Sequence, residues 1–316
     1  MLETIPLSQR PDEGWQLCRR ALQEIAGGRF PAEEWIARLR QTLDTGESVG
    51  VLAIEGTELA GVATWSRMPL PARRVGVLYL RPGERSPAAY REFLRRLIAE
   101  SPKDGPIAFS TGDLLGLEPA QQVEMMEPLG FRRFSRTEME FPQGSPLPSA
   151  ALKEGTASRP IRLEDVAELA ALHRIAYAGR FDRYLFMEDP DPGRDSERGM
   201  EKLLGGEWGP FLPEDSLVAV REGRIVGATV LVMMEGHPLL ADVMVDPAQR
   251  GQGIAAALIA TTLASLRTRS APPLRLNVTD GNARAQHLYR SMGFVPLFSG
   301  AGWYAPQCIP VSPEQD

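Results

Sequence analysis

At 316 residues, with 43% hydrophobic and 24% charged side chains, the chain carries enough apolar material for two cores of about 150 residues each. A net charge of −6 and an isoelectric point near 5.4, without a basic patch or stripe, argue against nucleic acid as a partner. Two distant cysteines, Cys18 and Cys308, and three scattered histidines, His173, His237 and His287, lack the spacing of a zinc site, and no apolar run approaches the roughly 18 residues of a membrane span.

The opening Met1-Leu2-Glu3-Thr4-Ile5-Pro6 has neither the basic start nor the apolar core of a secretory signal, which points to a cytoplasmic, reduced setting. A helical pattern over Trp15–Ala26 ends in Gly28-Arg29-Phe30. Strand-like runs Val49–Ile54 and Leu59–Trp65 flank the turn Glu55-Gly56, as a hairpin requires, and a third run, Val75–Leu80, closes at Pro82. An amphipathic helix, a short strand, a shorter helix and Gly130-Phe131 follow. Three prolines in Phe141–Ser149 and a polar run to Pro160 read as a linker.

The same order then repeats. A helix over Glu164–Ala178 ends in Gly179-Arg180-Phe181, a hairpin of Ser216–Val220 and Ile225–Met233 surrounds Glu222-Gly223, and Leu239–Val245 closes at Pro247. About 30 extra residues, Asp182–Pro213, interrupt this second copy and read as a long loop, functional or inert. Mixed strands and helices in this order predict an α/β (α+β) fold in two tandem domains, 1–145 and 159–316, joined by a linker over 146–158.

The most informative stretch runs from the strand Leu239–Val245 through Asp246-Pro247-Ala248-Gln249 to Arg250-Gly251-Gln252-Gly253-Ile254-Ala255. A helix follows, with Ile254, Leu258, Ile259, Leu263 and Leu266 on one face. Two glycines permit positive φ and close approach, and the amides at the helix start point outward where the dipole is positive. Such a place binds anions, and the rival reading is a tight turn that needs glycine only for packing. A Walker loop lacks its Gly-Lys-Ser/Thr here, and a dinucleotide fingerprint lacks its third glycine. Downstream, the strand Leu274–Thr279 breaks at Asp280-Gly281. A helix from Asn282 then carries Ala285, Leu288, Tyr289 and Met292 on one face and stops at Gly293-Phe294.

Arg250-Gly251-Gln252-Gly253-Ile254-Ala255 matches the Gln/Arg-x-x-Gly-x-Gly/Ala signature of the GNAT N-acetyltransferase superfamily, and Asn282, Ala285, Leu288, Tyr289, Gly293 and Phe294 match its later motif. The chain resembles the tandem two-domain members of that superfamily, mycothiol synthase among them in layout. The resemblance implies two sheets, mixed and mostly antiparallel, each flanked by helices, and acetyl-CoA as co-substrate with no metal. It further implies that the amides of Arg250, Gly251, Gln252, Gly253, Ile254 and Ala255 hold the coenzyme A pyrophosphate. The strand residues Val243, Met244 and Val245 would meet the pantetheine arm. Asn282 would lie near the cofactor, unless it is only an N-cap.

Tyr289 is read as the acid that protonates the departing thiolate, against the plainer reading of a core aromatic. An ammonium acceptor also needs a base, for which Asp242, Glu235, His237 and Asp280 are the candidates, each of a type that is commonly structural. The acceptor implied is an amine of a small molecule or peptide, on a monomer or homodimer. The alternatives are an acyl-CoA-binding module without turnover and an acetyltransferase acting on proteins. Aligning Pro82 with Pro247 places Arg85 on Arg250, Ala88 on the key glycine and Pro87 in the loop, and aligning Gly130-Phe131 with Gly293-Phe294 places Met126 on Tyr289, so the first copy is expected to lack both cradle and acid.

Overall fold

A computed structural model describes residues 3–26, 32–46, 48–66, 73–100, 107–110, 116–186 and 191–304. Gly28-Arg29-Phe30 and Cys308 lie outside them. In chain order the elements are β1 (Glu3–Pro6), α1 (Pro11–Ala26), α2 (Ala32–Asp44), β2 (Ser48–Glu55), β3 (Glu58–Ser66), β4 (Arg73–Leu80), α3 (Pro87–Glu100), β5 (Ile107–Ser110), α4 (Pro119–Met126) and β6 (Arg132–Glu140). The second series is β7 (Thr156–Pro160), α5 (Val166–Ala176), α6 (Phe181–Phe186), α7 (Pro192–Leu204), β8 (Leu217–Arg221), β9 (Arg224–Met234), β10 (His237–Val245), α8 (Ile254–Thr268), β11 (Arg275–Thr279), α9 (Ala283–Ser291) and β12 (Val295–Tyr304).

The chain forms two compact units, and they do not follow a single cut in the sequence. The first takes residues to Phe134 and recovers the segment from Gly300; the second takes most of Ser135–Ser299. In the first unit β1, β2, β3 and β4 pair antiparallel in order, β5 joins β4 in parallel, and β12 pairs β5 through Gly302–Tyr304. In the second, β7, β8, β9 and β10 pair antiparallel, β11 joins β10 in parallel, and β6 pairs β11 from Arg136 to Glu140. Each unit is thus a mixed, mostly antiparallel sheet with helices against it. The last strand of each repeat is built into the other unit.

Burial explains why these segments take these places. In the first unit Trp303 and Tyr304, from the end of the chain, are almost wholly buried, Trp303 among Leu78, Phe93 and Met126, and the Trp303 indole donates to Gln122 at 3.4 Å. In the second unit Met139 and Phe141 pack with Leu276, Met292 and Phe294. One face of the second sheet is covered by α5 and α7 through Leu169, Leu172, Met200 and Leu203; the other by α8 and α9 through Ile259, Leu263, Tyr289 and Met292. Gly227 on β9 lets α8 approach, since a Cβ there would lie 2.6 Å from Cγ2 of Ile254.

The stretch 182–213, read from sequence as a loop, instead holds α6 and α7. Asp191 caps α7 by accepting from the amides of Gly193 and Arg194, Pro192 starts it, and Met200, Leu203 and Leu204 bury one face. Its many charges hid that narrow apolar stripe.

Replacing Trp303 by Ala should cost about 3–5 kcal/mol. Although the residue stands 13 positions from the C-terminus, the loss of hydrogen-exchange protection is expected in β3, β4 and α3 while α8 stays protected. Loss confined to α8 and α9 would contradict this assignment of the last strand.

Candidate functional site

The site is set by where β10 leaves its neighbour. Among the described residues, β10 and β11 pair only at Leu239–Arg275 and Leu240–Leu276. Beyond that point Asp242 to Val245 remain paired to β9, opposite Val230 to Gly227, while β11 continues beside β6. A wedge opens between two parallel strands, and main-chain groups of β10 line one side of it.

A bulge at Ala241 lies where the wedge starts: Leu240 opposes Leu231 and Asp242 opposes Val230, with Ala241 left over. The extra residue turns the following side chains over. Leu240 packs with the α8 and α9 layer, whereas Met244, four residues on and so on the same face in an unbroken strand, packs with the α5 and α7 layer. Asp242 is therefore aimed at α5. Its Oδ1 accepts from the hydroxyl of Tyr177 at 2.6 Å, and its Oδ2 lies 3.9 Å from Nε2 of His173. His173 Nδ1 is 2.9 Å from Oγ of Ser196 on α7, and its ring lies 4.7 Å from that of Tyr177.

Burial raises the Asp242 carboxyl above its ordinary value, opposed by the His173 charge, the Tyr177 hydroxyl and the Val243 amide. Burial, with the charges of Asp242 and Asp182 adding to it, also raises the phenol of Tyr289. Tyr289 is 8% exposed, and its hydroxyl has no hydrogen-bond partner among the described residues. Asp182, at the start of α6, accepts a hydrogen bond from Thr279 at the end of β11.

Past β10 the chain reaches the glycine loop. Gly251 and Gly253 have φ of 78° and 80°, the left-handed region that glycine tolerates, and Gly253 is the N-cap of α8. No side chain caps the helix, and the first helical bond runs from the Ala257 amide to the Gly253 carbonyl. Among the described residues, the amides of Gly251, Gln252, Gly253, Ile254 and Ala255 donate to no protein acceptor, and a Cβ at either glycine would meet nothing within 4 Å. Five unmet donors at an open helix mouth fit an anion. The side chains hold the loop's shape: Arg250 donates to the Ala176 carbonyl at 2.8 Å, and Arg221 bonds both Gln249 and Gln252 at 2.9 Å.

Residues 183–294 match the model of the Acetyltransferase (GNAT) family. Those residues form a GNAT domain. The chain is an acetyl-CoA-dependent N-acetyltransferase of the tandem two-domain kind. A mycothiol acetyltransferase of Thermomonospora curvata is 29% identical over 80% of this chain and 81% of its own length; that of Thermobispora bispora is 29% identical over 92% and 96%. Two solved structures share the fold across 96% of this chain. A GCN5-related N-acetyltransferase from Sphaerobacter thermophilus does so with a TM-score of 0.60 at 20% identity, covering 94% of that chain. A tandem GNAT protein from the clavulanic acid biosynthesis pathway does so at 0.53 and 15%, covering 98%.

Within this GNAT chain the other sequence candidates fall in different places. Asn282 caps α9, its Oδ1 accepting from the Ala285 amide at 3.1 Å. Glu235 is exposed in the β9–β10 turn with φ of 50°, and His237 begins β10 beside it. Five steps of strand from His237, roughly 17 Å, separate the Glu235 turn from Asp242, so the structure does not bring them together. Asp280 accepts from Ser135 and, at 2.7 Å, from Thr137, which ties β6 to the turn before α9.

The equivalent loop of the first unit carries neither glycine and offers fewer donors. Pro87 has no N–H, Ser86 Oγ accepts from the Ala89 amide at 3.1 Å, and Tyr90 and Met126 are fully buried. Arg85 bonds Glu24 on α1 at 2.6 and 2.8 Å, a strap to the first helix like that of Arg250. Sequence reading passed over His173, Tyr177, Asp182 and Ser196. The available signal was His173 and Tyr177 four apart on α5, beside the buried Leu169, Leu172 and Ala176.

Because the native state holds the Asp242 proton more tightly than the unfolded chain, stability falls as pH rises from the ordinary carboxylate value of 3.8 through the raised one. Asp242→Asn cannot ionise, yet still accepts from Tyr177. Its Tm is expected to match the wild type near pH 4 and exceed it at pH 8; a Tm lower than wild type at pH 8 would show that the buried charge is not a net cost.

Proposed function

We propose that this chain moves the acetyl group of acetyl-CoA directly to a primary amine of a small molecule or peptide, in a ternary complex, with Asp242 as base and Tyr289 as acid. The observation that carries it is the wedge between β10 and β11, with unmet amides at one end and a buried carboxyl and phenol beside it. Gly251 to Ala255 hold the pyrophosphate by their main chain, Arg250 and Gln252 by keeping the loop in shape. Main-chain groups of Val243, Met244 and Val245 take the pantetheine as an added strand, with Asn282 at the far wall. The thioester then lies between the two layers.

Asp242, raised by burial, takes a proton from the incoming ammonium, and the neutral amine attacks the carbonyl carbon. As the tetrahedral intermediate collapses, Tyr289 gives its proton to the departing sulfur, and the second proton that the nitrogen loses on becoming an amide restores the phenol. The first unit, whose loop lacks both glycines and loses a donor at Pro87, binds no coenzyme and contributes packing. Among the described residues no group of His, Cys, Asp and Glu is arranged to hold a metal, and no helix is long and apolar enough to cross a membrane.

The acceptor of the mycothiol acetyltransferases is the first to test, because those relatives match across most of both chains. Free thiol released from acetyl-CoA should be followed with that acceptor and with cysteine, glucosamine, lysine and short peptides. Turnover with none of them would end the proposal in favour of a binding module, and turnover only on whole proteins would favour a protein acetyltransferase.

Tyr289→Phe is expected to lower kcat on the order of 10²-fold with coenzyme A affinity nearly unchanged. An unaltered kcat would remove the acid. Gly253→Val should act oppositely, weakening coenzyme A binding at least 10-fold by calorimetry because a β-branched residue resists φ of 80°. Retained affinity would remove the cradle.

A further inference from the structure

We infer that His173 is the positioning residue through which Asp242 passes on the proton it removes from the acceptor. The inference rests on the assignment of Asp242 as base and extends it to a second residue on another element. Asp242 is 8% exposed and His173 19%, so the carboxyl has no broad path to water while the imidazole has one. The two oxygens of Asp242 are differently used. Oδ1 is taken by the Tyr177 hydroxyl at 2.6 Å, which leaves Oδ2, the oxygen facing His173, to receive a proton.

The distance of 3.9 Å from Oδ2 to Nε2 exceeds a hydrogen bond by about 1 Å, which a small turn of the ring closes. Ser196, 2% exposed on α7, sits 2.9 Å from Nδ1 and can hold that nitrogen's N–H, which leaves the Nε2 lone pair toward the carboxyl. Tyr177, one turn along α5 and ring to ring with His173, keeps the imidazole from swinging away. The other charged groups at this corner are Asp182 on α6, and Asp195 of α7 with its partner Arg183. None of these stands between Oδ2 and Nε2 in a hydrogen bond.

The proton balance is simple. The acceptor N–H bond breaks as Oδ2 takes the proton; the new O–H bond breaks as Nε2 of neutral His173 takes it. The imidazolium returns it to water, and Asp242 is again a carboxylate for the next turnover. No oxidant or further reactant is needed.

The test uses the full chain, acetyl-CoA and the best amine from the panel above. His173→Ala should lower kcat on the order of 10- to 100-fold with KM for acetyl-CoA unchanged, and added imidazole should restore part of the loss. Substituted imidazoles should rescue in order of their basicity. His173→Gln keeps the volume and a bond to Ser196 but cannot take a proton, so it should be as slow as the Ala variant while unfolding near the wild-type Tm. A kcat within twofold of wild type in the Gln variant, or a loss that no imidazole relieves, overturns the relay. Asp242→Asn in the same assay separates the two claims: if it is fully active the base assignment fails as well, and if it is inactive while His173→Gln is not, only the relay fails.

Discussion

The constraint on which the second unit is built is the need to leave main-chain groups unmet in a place where a ligand can meet them. Backbone donors buried without partners are costly, so a fold normally closes its sheets and caps its helices. Here β10 parts from β11 after two residue pairs, and α8 begins without a side-chain cap. Both openings face the same end of the sheet, because the loop carrying Gly251 and Gly253 joins the open part of β10 to α8 directly. The left-handed turns at the two glycines aim the amides outward, and the straps from Arg250 and Arg221 prevent the loop from folding back to satisfy itself. In the first unit the matching loop differs: the Ser86 hydroxyl caps α3 at the Ala89 amide, Pro87 has no N–H to offer, and Tyr90 is buried.

The first copy carries neither glycine of the second copy's loop, and the strand pairing supplies a physical reason for its presence. The second unit's sheet needs β6, which the first repeat encodes, and the first unit's core needs Trp303 and Tyr304, which the second repeat encodes. Neither repeat holds the hydrogen-bonding partners of its own outer strand. Removing the first 140 residues would therefore take β6 away and leave β11 without its antiparallel partner. The silent copy can shed residues of chemistry but not strands.

Much of this was legible. Periodicity placed α8, β10, β11 and α9, the glycine pair stood out between a strand and a helix, and Tyr289 stood out only through the motif it shares with Asn282, Ala285, Leu288, Gly293 and Phe294. What could not be read is what depends on register and on the layer a side chain enters. The bulge at Ala241 leaves no mark in composition, yet it decides that Asp242 faces α5 and not α8. Asp242, Glu235, His237 and Asp280 looked equivalent as bases. Three are separated from the fourth only by a turn, a strand's length or a pair of hydroxyls from β6, all properties of tertiary structure. The exchange of β6 and β12 was invisible for the same reason, since a strand's sequence does not name its partner. The apolar stripe of α7 was masked by its charges.

The bulge also explains how one wedge can be offered two opposite proton chemistries. Tyr289 reaches it from the layer of α8 and α9, Asp242 from the side of α5 and α7. Both are removed from water, and removal from water raises both. The same shift has opposite consequences for the two groups. A carboxyl moved upward becomes a better acceptor of a proton near neutrality, while a phenol moved upward stays protonated. On the roles proposed above, one environment thus acts on an acid and a base in different senses. Because the two groups stand in separate layers, with β10 between them, neither short-circuits the other by a direct hydrogen bond.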